Sequence, residues 1–218
     1  YLGVPLEEFS RERAAAEVAA ARQELGVRPD EFAIGTITRL HESKGNCYLV
    51  DAAARVIKER PTARFYLVGE GPLLPDLEAQ AERLGLGDRF VFAGFRRDIP
   101  ATLSAFDLSV FPSLWEGTPL TGFEALAMGK PIVATDADGL LDILRDGLAD
   151  KIVWAMDHPQ ERARLGAAAR ISGRRYDIGL FVRKMERLYT LLHDVSRATR
   201  RRGVLRADLS FLTSGAPV

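Results

Sequence analysis

Glu116 and Glu124 stand eight positions apart in the stretch Ser113-Leu-Trp-Glu116-Gly-Thr-Pro-Leu-Thr-Gly-Phe-Glu124-Ala-Leu-Ala-Met-Gly129-Lys-Pro131-Ile-Val-Ala134. The stretch reads as a loop that follows a strand and opens a helix. Thr118 is placed to cap that helix, and Pro119 suits its first turn. A helix start offers unpaired backbone N–H groups and a partial positive charge, which together attract phosphate. Glu116 lies on the loop, whereas Glu124 lies more than one turn inside the helix, beside Phe123 and Ala125. A carboxylate among apolar neighbours needs polar partners. Sugar hydroxyls suit it, because an ionised carboxylate accepts several hydrogen bonds. A strand–turn–helix with two solvated glutamates would show the same spacing.

A second constellation lies upstream in Gly35-Thr-Ile-Thr-Arg39-Leu-His-Glu-Ser-Lys44-Gly45. Arg39 and Lys44 are two cations on one loop. Fixed cations beside an anionic group stabilise charge that grows on it. Arg supplies a planar fork and Lys a compact point charge. The plain alternative is a solvated basic loop. His41, between them, reads as a solvated loop histidine. Gly69-Glu-Gly71-Pro72 is not a dinucleotide fingerprint, since Leu74 stands where a third glycine belongs. No His, Cys or Asp cluster has metal-ligand spacing. Asp136 and Asp138 read as turn formers, and Cys47 as a small packed residue.

The elements that must position these groups alternate. Strands are expected at Phe32–Ile37, Arg64–Val68, Arg89–Phe92, Asp107–Phe111 and Pro131–Ala134. Helices are expected at 10–25 (capped by Ser10 and ended by Gly26), Asn46–Arg60, Leu73–Leu84, Asp98–Ala105 and Pro119–Met128. After Gly147 only helices follow, at 150–157, 159–173 and 178–200. Alternation of this kind predicts an α/β domain with a parallel sheet covered on both faces. In such sheets ligands sit beyond the carboxyl ends of the strands, where both constellations fall.

Composition agrees. Apolar residues make up 47 % and charged residues 28 % of 218, enough for a core in a soluble chain. Thirty basic residues balance thirty acidic ones, which argues against a dedicated nucleic-acid binder. The single cysteine rules out an internal disulfide and suits a reducing compartment, the cytoplasm. No apolar run approaches the ~18 residues of a membrane span. The chain starts at Tyr1 without Met and ends in Thr213–Val218, so an incomplete protein is expected.

The stretch from Glu116 to Glu124 closely resembles the paired-glutamate motif of the large retaining glycosyltransferase family usually numbered four. Gly117, Pro119, Ala125, Gly129 and Pro131 sit where that family has them. Arg39, Lys44 and Gly45 look like its phosphate-contacting pair. Gly94-Phe95-Arg96 and Asp142–Gly147 are weaker matches. The resemblance covers residues 1–147 well and 159–192 loosely. It implies one half of a GT-B fold: a Rossmann-like three-layer domain, with a mostly parallel sheet and extra C-terminal helices. The expected division is 1–30 linker and leading helix, 31–147 nucleotide-sugar-binding domain, 148–200 C-terminal helices of the same domain, and 201–218 tail.

The resemblance further implies a nucleoside-diphosphate-sugar donor, no metal cofactor, and transfer to an acceptor held by an N-terminal domain that is missing here. Arg39, Lys44 and Glu116 would be catalytic. Glu124, Gly35, Thr118, Pro119, Leu120, Phe95 and Arg96 would bind the donor, with Glu124 on the ribose, Glu116 on the donor sugar and the Phe95–Arg96 turn by the base. A binding module without catalysis and a nucleotide-sugar epimerase are the rival readings. The family also has an apolar, Gly-rich strand segment after the position of Gly147, whereas Leu148-Ala-Asp-Lys follows at once here. That departure puts the sheet's last strand in doubt. The basic run Arg197, Arg200, Arg201, Arg202 and Arg206 suits a helix C-terminus, or a peripheral contact with an anionic membrane.

Overall fold

Alternation of strand and helix dictates the architecture seen in the computed structural model, which describes residues 3–116, 118–135 and 141–202, and only the backbone of 141–146 and 194–202. Five strands form one sheet: β1 Phe32–Ile37, β2 Ala63–Val68, β3 Phe90–Gly94, β4 Leu108–Phe111 and β5 Ile132–Ala134. All pairings are parallel and the order is β3-β2-β1-β4-β5. Each crossover therefore runs through a helix. The order reverses between β1 and β4, which makes that junction the switch point of a doubly wound sheet.

Nine α-helices are described: α1 Leu6–Phe9, α2 Ala15–Glu24, α3 Asn46–Glu59, α4 Leu74–Arg83, α5 Ile99–Ala105, α6 Leu120–Ala127, α7 Leu141–Asp157, α8 Pro159–Gly173 and α9 Ile178–Arg202. Strand side chains alternate between faces, so two cores result. On one face Ile34, Phe65, Leu67 and Val110 pack with Leu49, Val56, Leu77 and Ile152 of α3, α4 and α7. On the other, Ala33, Ile37, Tyr66 and Val68 pack with Phe9, Ala21, Leu103, Phe123 and Ala127 of α1, α2, α5 and α6. This is the expected three-layer, Rossmann-like α/β domain.

Three local expectations need correction. The expected helix 10–25 covers only Ala15–Glu24, and Ser10 instead ends the short helix α1 before it: its N–H and hydroxyl both donate to Leu6 O. The second helix starts at Ala15, because Glu17 reaches back to the Ala14 N–H at 2.8 Å and is held there by the Arg11 fork. The helix expected from residue 150 begins at Leu141 and runs through Gly147 without a break. β5 is thus an edge strand, and no strand follows it among the described residues. Cys47 lies on the exposed side of α3 rather than in the core.

Residues after α8 turn back onto the start of the chain. Val4 donates to Tyr176 O at 2.6 Å and accepts from Ile178 N at 2.9 Å. The Tyr176 ring stacks on Phe123 of α6 with centroids 3.9 Å apart. The leading segment, α6 and the start of α9 are therefore tied together. Asp136, Asp138, Arg206 and Thr213–Val218 lie outside the described residues.

Candidate functional site: a hollow at the switch point of the sheet

Beyond the carboxyl ends of β1 and β4 lies a hollow of about 200 Å³. The loop after β1 lines it with Ile37, Thr38, Arg39 and Lys44. The loop after β4 and the first turn of α6 line it with Phe111, Glu116, Thr118, Pro119, Leu120, Thr121 and Gly122. Lys44 and Glu116, 72 residues apart in sequence, thus meet where a doubly wound sheet opens its crevice. A hollow of about 250 Å³ runs instead along the edge strand β5, between Trp154 and Leu165. Its lining is mostly apolar, and its Arg162 is engaged with Ala155 O at 2.6 Å.

Glycines set the β1 loop. Gly69 and Gly71 leave no room for a Cβ: one would lie 1.8 Å from Thr38 O, the other 2.3 Å from Leu40 O. That close approach lets Leu40 N–H donate to Glu70 O at 3.0 Å while Leu40 O accepts from Leu73 N–H at 3.2 Å. The glycines after β2 therefore shape the loop that carries Arg39. The buried Asn46 donates to Arg39 O at 3.2 Å and fixes the same turn from the α3 side. The Arg39 side chain is exposed and faces the hollow.

Next comes a 3-10 turn, Glu42–Lys44, ended by Gly45 in the left-handed region at φ 58°. A Cβ on Gly45 would lie 2.1 Å from Pro112 O, so only glycine lets the two loops touch. Ser43 O accepts from Leu114 N–H at 2.9 Å, which clasps them together. His41 serves this turn, its Nδ1 accepting from Ser43 N–H at 3.4 Å.

The clasp brings Lys44 to Glu116. Lys44 Nζ donates to both Oε1 and Oε2 at 2.7 Å. Ser113 Oγ donates to Oε1 at 2.6 Å. The two charged side chains are only 22 % and 19 % exposed, so the pair is less screened than a surface bridge. Ser113 itself is buried, and its carbonyl accepts from Thr135 Oγ1 at 2.5 Å, which ties the loop to the end of β5.

Helix α6 begins at Leu120, one residue later than expected. Pro119 occupies the cap position, with no side-chain cap; Thr118 does not cap. Of the N–H groups from Thr118 to Leu120, Pro119 has none and Leu120 donates to Thr118 O at 2.9 Å. Thr121 and Gly122 are the first-turn positions whose N–H groups lack an intrahelical acceptor, and both line the hollow. Glu124 follows Leu120 by four residues, hence on the same face of α6, one turn deeper. It does not line the hollow itself. Burial pushes its carboxyl up, and Glu8 on α1 adds to the rise.

The structure does not bring the remaining expected residues into the hollow. Gly35 is buried inside β1, where the Phe106 ring fills the space a Cβ would take, at 2.2 Å. Phe95 and Arg96 follow β3, two strands from β1. Phe95 is 62 % exposed. Arg96 donates to Glu24 Oε1 at 2.9 Å and to Ala93 O at 3.3 Å, which draws it toward α2. Residues that sequence reasoning left without a role are Ser113, Thr121 and Gly122. Ser113 was part of the motif stretch, but nothing in its spacing tells that its hydroxyl reaches Glu116. Among the described residues, no group of three or more His, Cys, Asp or Glu side chains is arranged to hold a metal ion. No described helix is long and apolar enough to cross a membrane.

Comparison with known proteins gives this geometry a setting. The chain is 37 % identical over 178 residues to the putative glycosyltransferase EpsF of Bacillus subtilis, covering 77 % of this chain and 44 % of that protein. It is 36 % identical over 118 residues to an Escherichia coli UDP-Gal:alpha-D-GlcNAc-diphosphoundecaprenol alpha-1,3-galactosyltransferase, covering 53 % of this chain and 30 % of that one. The chain thus spans half or less of these relatives. The crystal structure of Anabaena Alr3699/HepE in complex with UDP and glucose superposes with a TM-score of 0.77 at 27 % identity, over 86 % of this chain and 55 % of that one. Residues 31–169, which carry the sheet and every residue lining the hollow, match the model of the glycosyl transferases group 1, and the chain belongs to that family.

Proposed function

We propose that the chain binds a nucleoside-diphosphate sugar in the hollow between β1 and β4. With an N-terminal domain holding an acceptor, it transfers the sugar, a hexose, with retention at the anomeric carbon. The observation that carries the reading is the convergence of Arg39, Lys44, Glu116 and the α6 start on one hollow at the switch point of the sheet. The Anabaena relative's complexes with UDP, glucose and UDP-glucose favour a donor of this class.

In this reading Arg39 and Lys44 neutralise the diphosphate, most strongly as the leaving group gains charge. The N–H groups of Thr121 and Gly122 add a phosphate contact at the helix start. Glu116 accepts from donor-sugar hydroxyls and Glu124 from the ribose. The base extends past β2 toward Phe95 and Arg96. Two strand spacings come to roughly 10 Å, within a nucleotide's span. No metal ion takes part in donor binding.

Calorimetry with UDP, GDP and ADP tests the site. At least one should bind, and Arg39→Ala with Lys44→Ala should abolish binding; unchanged affinity in the double variant refutes the phosphate assignment. Turnover should require the N-terminal domain. Product NMR should show the donor's anomeric configuration kept, and donor conversion without acceptor would favour an epimerase.

A cytoplasmic, membrane-peripheral enzyme is part of the same proposal. Helix α9 carries Arg183, Lys184, Arg187, Arg197, Arg200, Arg201 and Arg202 against Glu186 and Asp194. Its Val182, Tyr189 and Leu192 are exposed. A basic amphipathic helix suits an anionic lipid surface. Co-sedimentation with phosphatidylserine vesicles that is lost at high salt supports this; no binding at low salt ends it.

A further inference from the structure

We propose that Ser113 is a positioning residue, which keeps the Glu116 carboxylate aimed at the donor sugar once the diphosphate claims Lys44. The inference rests on the donor-site reading above. Its basis is the division of Glu116's hydrogen bonds. Lys44 grips both carboxylate oxygens at 2.7 Å, and Ser113 grips Oε1 alone at 2.6 Å. An O–H···O⁻ bond of that length belongs to the strong, charge-assisted class. An ammonium has three donors. A diphosphate entering the hollow competes for them with two negative groups against one, and it repels the carboxylate that held them.

Glu116 then keeps only the bond that the diphosphate does not contest. A hydroxyl carries no charge, so the incoming anion does not draw it away as it draws Lys44. Ser113 is also fixed from behind. The residue is 6 % exposed, its carbonyl accepts from Thr135, and the next residue's N–H donates to Ser43 O at 2.9 Å. Glu116 sits three residues on, at the hollow's edge and 19 % exposed. Without Ser113, a carboxylate released by Lys44 turns toward water, and aiming it at a sugar hydroxyl costs rotamer entropy. The placement also separates the two halves of the donor. Lys44 answers to the diphosphate, which every donor and the nucleotide product share; Ser113 acts through Glu116 on the sugar alone.

The test compares nucleotide and nucleotide-sugar binding in the same protein. UDP, GDP and ADP are titrated by calorimetry beside UDP-glucose, GDP-mannose and ADP-glucose, and the pair that wild type binds tightest is used. Ser113→Ala should leave nucleotide affinity within about twofold, which also shows that the site is folded. It should weaken the sugar nucleotide by about tenfold, the size of a bond to a charged group. Ser113→Thr, which keeps a hydroxyl on the same carbon, should return most of that loss. Equal weakening of nucleotide and sugar nucleotide marks a merely structural residue and overturns the inference, as does an unchanged sugar-nucleotide affinity. Failure of wild type to bind any of the nucleotides sinks the donor-site reading itself, and this inference with it.

Discussion

Lys44 Nζ lies 2.7 Å from each carboxylate oxygen of Glu116, so the cation meant for a diphosphate and the acid meant for a sugar are bonded to each other. A donor has to divide this pair. Glu116→Gln removes the charge that competes for Lys44. Nucleoside-diphosphate affinity should therefore rise, by up to about fivefold, the ~1 kcal/mol that a partly exposed pair commonly holds. Turnover by the enzyme with its acceptor domain should fall by about a hundredfold or more, the scale for losing a group that acts on the transition state. Calorimetry and a coupled transfer assay read the two effects. Weaker nucleotide binding in Glu116→Gln would mean that the acid does not compete for Lys44.

The meeting of these loops also depends on Gly45. Its φ is 58°, and a Cβ would fall 2.1 Å from Pro112 O. Gly45→Ala meets both a left-handed backbone penalty and a collision with a carbonyl. Gly26 has φ 71° with open space around it, and so isolates the first term. Gly26→Ala should cost about 1 kcal/mol. Gly45→Ala should cost about 2–4 kcal/mol, from strain plus displaced loops, and should weaken nucleotide binding because Lys44 is the preceding residue. Urea melts of the two variants decide it; equal midpoints would remove the collision.

How much of this was legible in the sequence depends on what each residue acts through. The alternation of strand and helix predicted the three layers, because face-to-face periodicity is local. Arg39, Lys44, Glu116 and the α6 start share a hollow because strand-end loops converge at a switch point, which follows from strand order. The Lys44–Glu116 bond was not legible. It depends on Ser43 O meeting Leu114 N–H across a long sequence separation, and no spacing encodes that contact. Thr118 failed as a cap since Pro119 takes the cap position, and a proline there has no side-chain acceptor. Ser10 looked like a helix start, yet Glu17 and Arg11 move that start to Ala15. Arg96 and Phe95 were placed by likeness alone; only the structure shows Glu24 holding Arg96 toward α2.

Glu124 is predicted to trade stability for binding. Burial, and then Glu8, raise its carboxyl above the ordinary 4.5. A raised carboxyl means that the folded state holds the proton more tightly than the unfolded chain does. Its cost to stability is absent below the unfolded value and grows as pH rises through the folded one. Glu124→Gln should therefore melt higher than wild type at pH 7, with the gap closing as pH falls toward about 4.5. The same variant should bind the nucleotide less tightly, by about tenfold, if the carboxylate accepts from ribose hydroxyls. Thermal melts from pH 4 to 8, with and without nucleotide, would show both signs. A variant less stable than wild type at pH 7 would contradict the assignment of burial as the cause.

Lys130 gives a sign-opposed prediction on the far side of the sheet's carboxyl edge. Its ammonium donates to Ser104 O at 2.9 Å and Phe106 O at 2.8 Å, holding the α5–β4 turn against the end of α6. Burial pulls it down to about 8 from 10.5, against Asp107, which favours the charge. Between those two values the folded state has released a proton that the unfolded chain retains, so folding is favoured as pH rises through that window. Other titrating groups are common to wild type and variant, and cancel in the difference. Relative to Lys130→Met, wild type should gain about 1–3 kcal/mol between pH 8 and 10.5, while below pH 8 the difference stays flat. Urea unfolding of both proteins across that range measures it. A flat difference throughout would show that the two carbonyls offset the burial and leave the amine at its ordinary value.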